Sequence, residues 1–165
     1  MLLVTHNNTF HADDVFSAAV LKLIHPFASI KRTREEKYFN SGNIIFDVGG
    51  KYDNKKFFDH HQIETAGTRE DGYPYASFGL IWKKYGIILC KEQEIVDRID
   101  NNFVKYIDAI DNGYNPNNID LIVSISEIIG LFNNNWNEKS NGFFIQNCIE
   151  YILFQSYKQY IYIFL

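Results

Sequence analysis

The first sixty residues alternate between short apolar runs and polar clusters, a pattern that predicts strands joined by loops and a helix. Between the first two runs, apolar residues recur at helical spacing and predict a helix over Ala12–Ile24, which Pro26 ends. Arg34–Phe39 is a polar crossover. The four runs that predict strands are Leu2–Thr5, Ser29–Thr33, Ile44–Phe46 and Lys56–Phe58.

The remainder of the chain has mostly helical patterns. The predicted helices are Ala76–Tyr85, Glu92–Ile110 and Ile119–Leu131. Strands that alternate with helices early in a chain are typical of a parallel sheet. We therefore expect an α/β fold, with a parallel-sheet domain, flanking helices and a mostly helical C-terminal part. This domain would cover residues 1–150, and the apolar stretch 151–165 would be a truncated tail or the start of a missing C-terminal domain.

Composition narrows the class of protein. The 165 residues are 46% hydrophobic and 22% charged, which is typical of one soluble globular domain without a membrane span. The net charge of −4 argues against a strongly basic nucleic-acid surface, although bound metal ions would add local positive charge. Cys90 and Cys148 have no ligand spacing and indicate reduced thiols. With no signal or transit peptide in the sequence, we expect an intracellular protein of the cytoplasm or nucleus.

Four polar clusters lie in this framework, and three of them directly follow a predicted strand. Ligands bind at the carboxyl ends of strands in open α/β sheets, so side chains from distant segments are expected to meet there. The clusters are T-H-N-N-T-F-H-A-D-D at 5–14, F-D-V-G-G at 46–50, F-D-H-H at 58–61 and I-D-A-I-D-N-G at 107–113.

The clusters offer imidazole nitrogens and carboxylate oxygens, which suit divalent cations such as Mn²⁺, Mg²⁺ or Zn²⁺. Two such cations about 3.5–4 Å apart clamp both sides of an in-line displacement at phosphorus. Asp47 is the predicted shared ligand, because it stands alone at a strand end before two glycines. The predicted ligands of one cation are His6, His11 and Asp13, and those that complete the second are His60 and Asp111.

The sequence leaves His61 with two possible roles and gives Asp59 a supporting one. Several of the aspartates also have a purely structural explanation. His61 is a ligand or a donor to phosphate, and Asp59 orients an imidazole by accepting its second N–H. The structural alternatives are first-turn carboxylates for Asp13-Asp14, a turn aspartate for Asp47, and a solvated helix face for Asp108 and Asp111.

The order H-x4-H-x-D, a lone Asp, D-H-H and a later Asp resembles the DHH phosphoesterase superfamily. The melanocyte-proliferating-gene-type (Myg-type) branch is the nearest match. T-H-N-N-T-F-H-A-D-D resembles its T-H-N-G-T-F-H-x-D-E, and K-R-T-R, F-D-V-G-G-x-Y-D, F-D-H-H-Q and I-D-A-I-D-N-G resemble its other segments. The resemblance implies a DHH-type domain over residues 1–150 and a metal-dependent phosphoester hydrolase, specifically a 3′→5′ RNA exonuclease.

The resemblance also implies roles for individual residues. His61, Asp59 and Asp108 would be catalytic, and Arg32 and Arg34 would contact phosphate oxygens or form exposed salt bridges. The implied cofactor is a pair of divalent ions, with Mn²⁺ favoured over Mg²⁺ or Zn²⁺. RNA or a short nucleotide is the implied partner, no stable protein partner is evident, and relatives suggest nucleus or mitochondrion. The implied metal ligands are His6, His11, Asp13, Asp47, His60 and Asp111.

Three departures from the family pattern bear on function. Asn8 replaces the usual glycine, although asparagine tolerates left-handed backbone better than most residues. Asp14 replaces the usual glutamate, a change expected to matter little. Family members also continue for about another domain. The alternatives are thus an impaired or regulatory metal-binding remnant without a substrate-binding domain, or a pyrophosphatase or small-nucleotide phosphodiesterase.

Overall fold

The computed structural model describes residues 1–62 and 66–114 of the chain. Four strands form one sheet with the order β2-β1-β3-β4, and every neighbouring pair is parallel. The predicted α/β class is therefore confirmed. The predicted helix Ile119–Leu131 and the boundary at residue 150 lie outside the described residues. The strands are β1 (Leu2–Thr5), β2 (Ser29–Arg32), β3 (Ile44–Phe46) and β4 (Phe57–Phe58).

Helices flank the sheet, and two of the predicted helices differ from those observed. The third helix runs past its predicted end because Leu89 and Cys90 still pack on the core, and it ends where Lys91 takes a left-handed φ of 65°. The single helix predicted over Glu92–Ile110 is interrupted by a π-helical turn, Asp100–Val104. The α-helices are α1 (Ala12–Ile24), α2 (Lys37–Ser41), α3 (Ser77–Cys90), α4 (Gln93–Ile99) and α5 (Lys105–Asp111).

The two faces of the sheet bury alternate residues of the strands, as the period of two requires. Leu3, Phe46 and Phe58 point into the larger core, where α1 packs against α3. Val4 and Ile45 belong to a smaller cluster on the other face, which includes residues of α2. None of the helices in residues 1–62 and 66–114 is long and apolar enough to cross a bilayer.

Strand order decides where the polar clusters meet. The loop after β1, the loop after β3 and the segment after β4 leave the same edge of the sheet, because these three neighbouring strands run in the same direction. Chain order reverses between β1 and β3, since β2 lies on the far side of β1. This is a topological switch point, the position at which parallel α/β sheets bind ligands.

Candidate metal centre

His6 is the first residue after β1, and its ring is buried with 3% exposure. Its Nδ1–H donates to the carbonyl of Asn7 at 2.8 Å, which leaves Nε2 as the nitrogen that faces the cluster. Nε2 lies 3.0 Å from Asp47 Oδ2 and 3.1 Å from Asp14 Oδ2. A histidine that donates one N–H to a backbone carbonyl and presents the other nitrogen is typical of a metal ligand.

The loop after His6 needs a left-handed residue, and Asn8 provides it with a φ of 77°. Arg32 holds the same loop from β2. Its guanidinium donates to the carbonyls of His6 at 3.0 Å, Asn8 at 3.1 Å and Thr9 at 3.1 Å. Asn8 therefore replaces glycine without preventing this loop conformation, and the loop that carries His6 is fixed by three hydrogen bonds.

The N-terminus of α1 contributes two buried carboxylates. Asp13 Oδ1 accepts a hydrogen bond from the Asp14 N–H at 2.8 Å, and Asp14 Oδ1 accepts one from the His11 N–H at 3.2 Å. Each carboxylate thus stabilises the first turn with one oxygen and keeps the other for the cluster. Asp14, which the sequence pattern gave little weight, lies beside His6.

Asp47 occupies the centre of the cluster with 1% exposure and a left-handed φ of 54°. A non-glycine residue with positive φ is uncommon, and such backbone occurs often at functional sites. Besides its contact with His6, its Oδ1 lies 3.5 Å from His61 Nδ1 and 3.8 Å from His60 Nδ1. Asp47 is therefore flanked by imidazoles from the loop after β1 and from the segment after β4.

Asp59 organises the D-H-H segment. Its Oδ1 accepts hydrogen bonds from the backbone N–H of His60 at 2.8 Å and from Nδ1 of His61 at 2.7 Å, and its Oδ2 accepts the Gly50 N–H at 2.6 Å. Burial raises the pKa of Asp59, but His61 and these backbone donors lower it below its ordinary value. The His61 pKa is raised by Asp59, and its ring is 57% exposed at the rim.

Asp111 enters the cluster from α5. Its Oδ2 lies 2.9 Å from His60 Nε2 and its Oδ1 lies 3.8 Å from His11 Nδ1. Burial raises the pKa of Asp111, but His60 and Asp13 lower it, and Asp111 in turn raises the pKa of Asp13. Asp111, from the fourth sequence cluster, therefore lies beside His11 of the first cluster and His60 of the third.

The charge balance of the cluster favours a cation. Burial raises the pKa of Asp13 well above its ordinary value, and the Asp47, Asp111 and Asp14 carboxylates raise it further. Burial lowers the pKa of His6, but Asp14 and Asp47 raise it to about 10. Packed carboxylates of this kind require nearby positive charge, supplied by a proton or a metal ion.

Hydrogen bonding leads to the same conclusion. Several buried side-chain nitrogen and oxygen atoms of the cluster have no hydrogen-bond partner, although other polar atoms lie close to them. Buried polar atoms are normally paired, and an unpaired set needs an explanation such as a bound ion. In the part of the chain that the structure describes, these atoms are His6 Nε2, Asp13 Oδ2, Asp14 Oδ2, Asp47 Oδ1 and Asp47 Oδ2.

Three overlapping groups of side chains place ligand atoms within 4.8 Å of one another and could hold a metal ion. All six residues predicted as ligands belong to at least one group, and so do Asp59 and His61. Asp47 and His11 each belong to two groups. The groups are Asp47, Asp59, His60 and His61; His6, His11 and Asp47; and His11, Asp13 and Asp111.

One predicted catalytic residue, Asp108, lies outside these three groups. Asp108 is fully buried, and its oxygens accept hydrogen bonds from Arg69 Nη2 at 2.8 Å and from the Gly79 N–H at 2.9 Å. Burial raises the Asp108 pKa to about 7, although Arg69 and backbone donors oppose this. Arg32 braces the His6 loop, whereas Arg34 is exposed.

Two residues that contact a candidate ligand or the neighbouring Asp108 were not predicted from the sequence. Ser77 Oγ lies 3.3 Å from His60 Nδ1, and Arg69 binds Asp108 and Asp100. Neither residue has a motif around it: Ser77 begins α3 and meets the segment after β4, and Arg69 reaches the later helices from the loop before α3.

A family model matches residues 2–155, nearly the whole chain, and describes the uncharacterised protein family UPF0160, with a model name that refers to MYG1 exonucleases. The chain belongs to this family. The family assignment agrees with the Myg-type resemblance seen in the motifs.

Named relatives support the same assignment. The chain is 33% identical to the MYG1 protein of Saccharomyces cerevisiae, over 88% of this chain and 51% of that protein. It is 33% identical to a MYG1 protein of Schizosaccharomyces pombe, over 83% of this chain and 49% of that protein. It is 35% identical to the human MYG1 exonuclease, over 66% of this chain and 35% of that protein. The chain thus spans about half the length of these relatives or less, and no solved structure matches it.

Proposed function

We propose that this chain is the metal-holding part of a divalent-metal-dependent phosphoester hydrolase of the DHH superfamily, with 3′→5′ exonuclease activity on RNA. The observation that carries the proposal is the set of buried, unpaired carboxylate and imidazole atoms around Asp47. Carboxylate oxygens suit Mg²⁺ or Mn²⁺ and imidazole nitrogens suit Zn²⁺. The mixed set therefore fits a pair of divalent cations, for which we propose Mn²⁺.

The assignment of ligands follows the observed contacts. Asp47 is the shared carboxylate, because it alone lies beside both His6 and His60 among the contacts of the described residues. One cation would be held by His6, His11 and Asp47 with Asp13, which is grouped with His11, and the other by Asp47, His60 and Asp111, which are linked through His60. When bound, the pair supplies Lewis-acid stabilisation of charge on the phosphoryl oxygens.

The chain's own residues supply orientation and substrate contact. Asp59 accepts the Nδ1–H of His61 and so directs the opposite ring nitrogen away from the Asp59 carboxylate. Since the His61 ring is more than half exposed, it can donate to a phosphate oxygen at the rim of the centre. Burial of His6, Asp13 and Asp47 lowers the local dielectric constant around these ligands, which strengthens electrostatic interactions there.

The names of the relatives favour an exonuclease over a pyrophosphatase or a small-nucleotide phosphodiesterase. Relatives from human and cattle carry the name MYG1 exonuclease. We propose RNA or a short nucleotide as the partner. The proposed location is inside the cell, in the cytoplasm or nucleus, with the mitochondrion as the alternative that the family resemblance adds.

Purified chain with Mn²⁺ tests the proposal on three substrates: 5′-labelled RNA, pyrophosphate and a dinucleotide. Asp47→Asn removes the shared carboxylate and keeps a residue that tolerates positive φ. Asp53→Asn is the matched control, because Asp53 caps a turn outside the centre. Progressive shortening of the RNA from its 3′ end, lost only in Asp47→Asn, supports the exonuclease.

The other possible results of this assay favour a different function or contradict the proposal. Turnover of pyrophosphate or the dinucleotide without RNA shortening favours a small-substrate hydrolase. Tight Mn²⁺ binding without any turnover favours the remnant. Absence of Mn²⁺ binding by the folded chain contradicts the whole proposal.

A further inference from the structure

Arg69 joins several segments around α5, outside the set of candidate ligands. Its Nε and Nη2 each donate to one oxygen of Asp100 at 2.7 Å, and Nη2 also donates to Asp108 at 2.8 Å. Nη1 donates to the Pro74 carbonyl at 3.1 Å, and the guanidinium lies 4.2 Å from the centroid of the Tyr75 ring. A side chain with only 6% exposure that makes four polar contacts is held in one geometry.

The two carboxylates that Arg69 binds lie at the start of the π-helical turn and in the helix after it. Asp100 begins that turn, and Asp108 lies in α5, which follows it. A π-helical turn changes the rotation of the helix that continues after it, and such turns often occur at functional sites. Because Arg69 binds at the start of this turn and after it, it fixes the rotation of α5 relative to the turn.

The rotation of α5 decides where Asp111 points. Residues three apart share a helix face, so Asp111 lies one turn beyond Asp108 on the same side. Asp108 also accepts the Gly79 N–H in the first turn of α3 at 2.9 Å. In that turn, Ser77 Oγ lies 3.3 Å from Nδ1 of His60, whose Nε2 lies 2.9 Å from Asp111. The contact of α5 with α3 therefore forms beside the ligand pair.

We propose that Arg69 is a positioning residue of the metal centre. By holding Asp100 and Asp108 together, it sets the rotation of α5 that brings Asp111 to His60. This inference rests on the proposed function insofar as Asp111 is a metal ligand. Residues that orient ligands without touching the metal typically change metal affinity by about 10–100-fold when altered.

The first test measures the placement of Asp111 without any metal, in the full chain. Nuclear Overhauser contacts between the His60 ring protons and the Asp111 β-protons are compared in wild type, Arg69→Met, Arg69→Lys and Asp100→Asn. Trp82→Phe is the control for general destabilisation, because it removes a buried hydrogen bond to the Val96 carbonyl. We expect the contacts in wild type and Trp82→Phe, their loss in Arg69→Met, and weaker contacts in the other two variants.

A folded Arg69→Met protein that keeps the wild-type contacts overturns the inference. Should Arg69→Met fail to fold, Arg69→Lys and Asp100→Asn decide by the same criterion, since both keep a polar partner in the network. Retained contacts in both then overturn it.

The second test measures Mn²⁺ affinity by the electron paramagnetic resonance signal of free Mn²⁺. We expect affinity for one of two ions to fall about 10–100-fold in Arg69→Met, with the other ion retained. Unchanged affinity in Arg69→Met, or an equal fall in Trp82→Phe, overturns the inference. If wild type binds no Mn²⁺, the proposed function fails, and the Overhauser contacts still decide whether Arg69 positions Asp111.

Discussion

Nε2 of His6 lies 3.0 Å from Oδ2 of Asp47, at the edge where the neighbouring strands β1 and β3 end. Neither atom makes a hydrogen bond of acceptable geometry. Two ligands at right angles on one cation, each bonded at about 2.1 Å, are separated by about 3.0 Å. A separation of 3.0 Å is therefore compatible with two ligands of one divalent ion, and also with an ion pair between a protonated His6 and Asp47.

Asp47→Asn should abolish binding of the metal pair. The amide fits the left-handed backbone, so the loop is retained, but it removes the charge that both cations would share. We expect Mn²⁺ affinity to fall more than about 100-fold, beyond the range seen for residues that only orient ligands. Isothermal titration calorimetry of Asp47→Asn beside Asp53→Asn checks this, and near-wild-type affinity in Asp47→Asn would exclude it as the shared ligand.

Arg32 and Arg34 should have different roles, although the sequence analysis predicted the same role for both. Arg32 donates to three carbonyls of the His6 loop, so Arg32→Met should weaken Mn²⁺ binding about tenfold or more. Arg34 is exposed, so Arg34→Gln should leave Mn²⁺ affinity unchanged and raise the KM for RNA. Calorimetry and initial rates together check the pair. Equal effects of both variants on KM alone would contradict the bracing role of Arg32.

His61→Asn should reduce turnover much more than metal binding. The ring is exposed at the rim and held by Asp59, which suits contact with substrate better than a place among the buried ligands. We expect kcat on RNA to fall about 10²-fold or more while Mn²⁺ affinity changes less than about threefold. Calorimetry with single-turnover rates checks this. A large loss of Mn²⁺ affinity would make His61 a ligand instead.

The fold and the meeting of the first three clusters could be predicted because both follow from local rules. Period-two and helical patterns located the strands and α1, and the shared edge of a parallel sheet then brought His6, Asp47 and His60 together. Those predictions needed no knowledge of which side chains touch.

The contributions of the later helices could not be predicted in the same way. The family resemblance implied site roles for both Asp108 and Asp111, but in the structure Asp108 contacts Arg69 and only Asp111 contacts His60. The rotation of α5 depends on the π-helical turn, which has no clear signal in the pattern of apolar residues. Asp14 was undervalued because a carboxylate in a first turn already has a sufficient structural explanation.

Asp53, which lies in the turn before β4, should make the free energy of unfolding depend on pH. Burial raises its pKa, but the backbone N–H groups of residues 55–57 lower it below its ordinary value. A carboxyl with a lowered folded pKa stabilises the fold above its unfolded value of about 3.9, and this stabilisation is lost as pH falls through the folded pKa. Urea unfolding should show Asp53→Asn less stable than wild type near pH 6, with the difference shrinking toward about pH 3. A constant difference would contradict this.

Gly79→Ala should destabilise the protein, although alanine usually stabilises a helix relative to glycine by about 1 kcal/mol. A Cβ at this position would lie 1.8 Å from Asp108 Oδ2 and 2.7 Å from Arg69 Nη2. We expect a loss of about 1–3 kcal/mol in the free energy of unfolding, as for other overpacked sites. In an Asp108→Ala background the closest clash is removed and only the Arg69 guanidinium must move, so the same substitution should cost less. A double-mutant cycle measured by urea unfolding checks this coupling. Additive effects of the two substitutions would show that Asp108 does not occupy the space beside Gly79, and that α5 docks on α3 by other contacts.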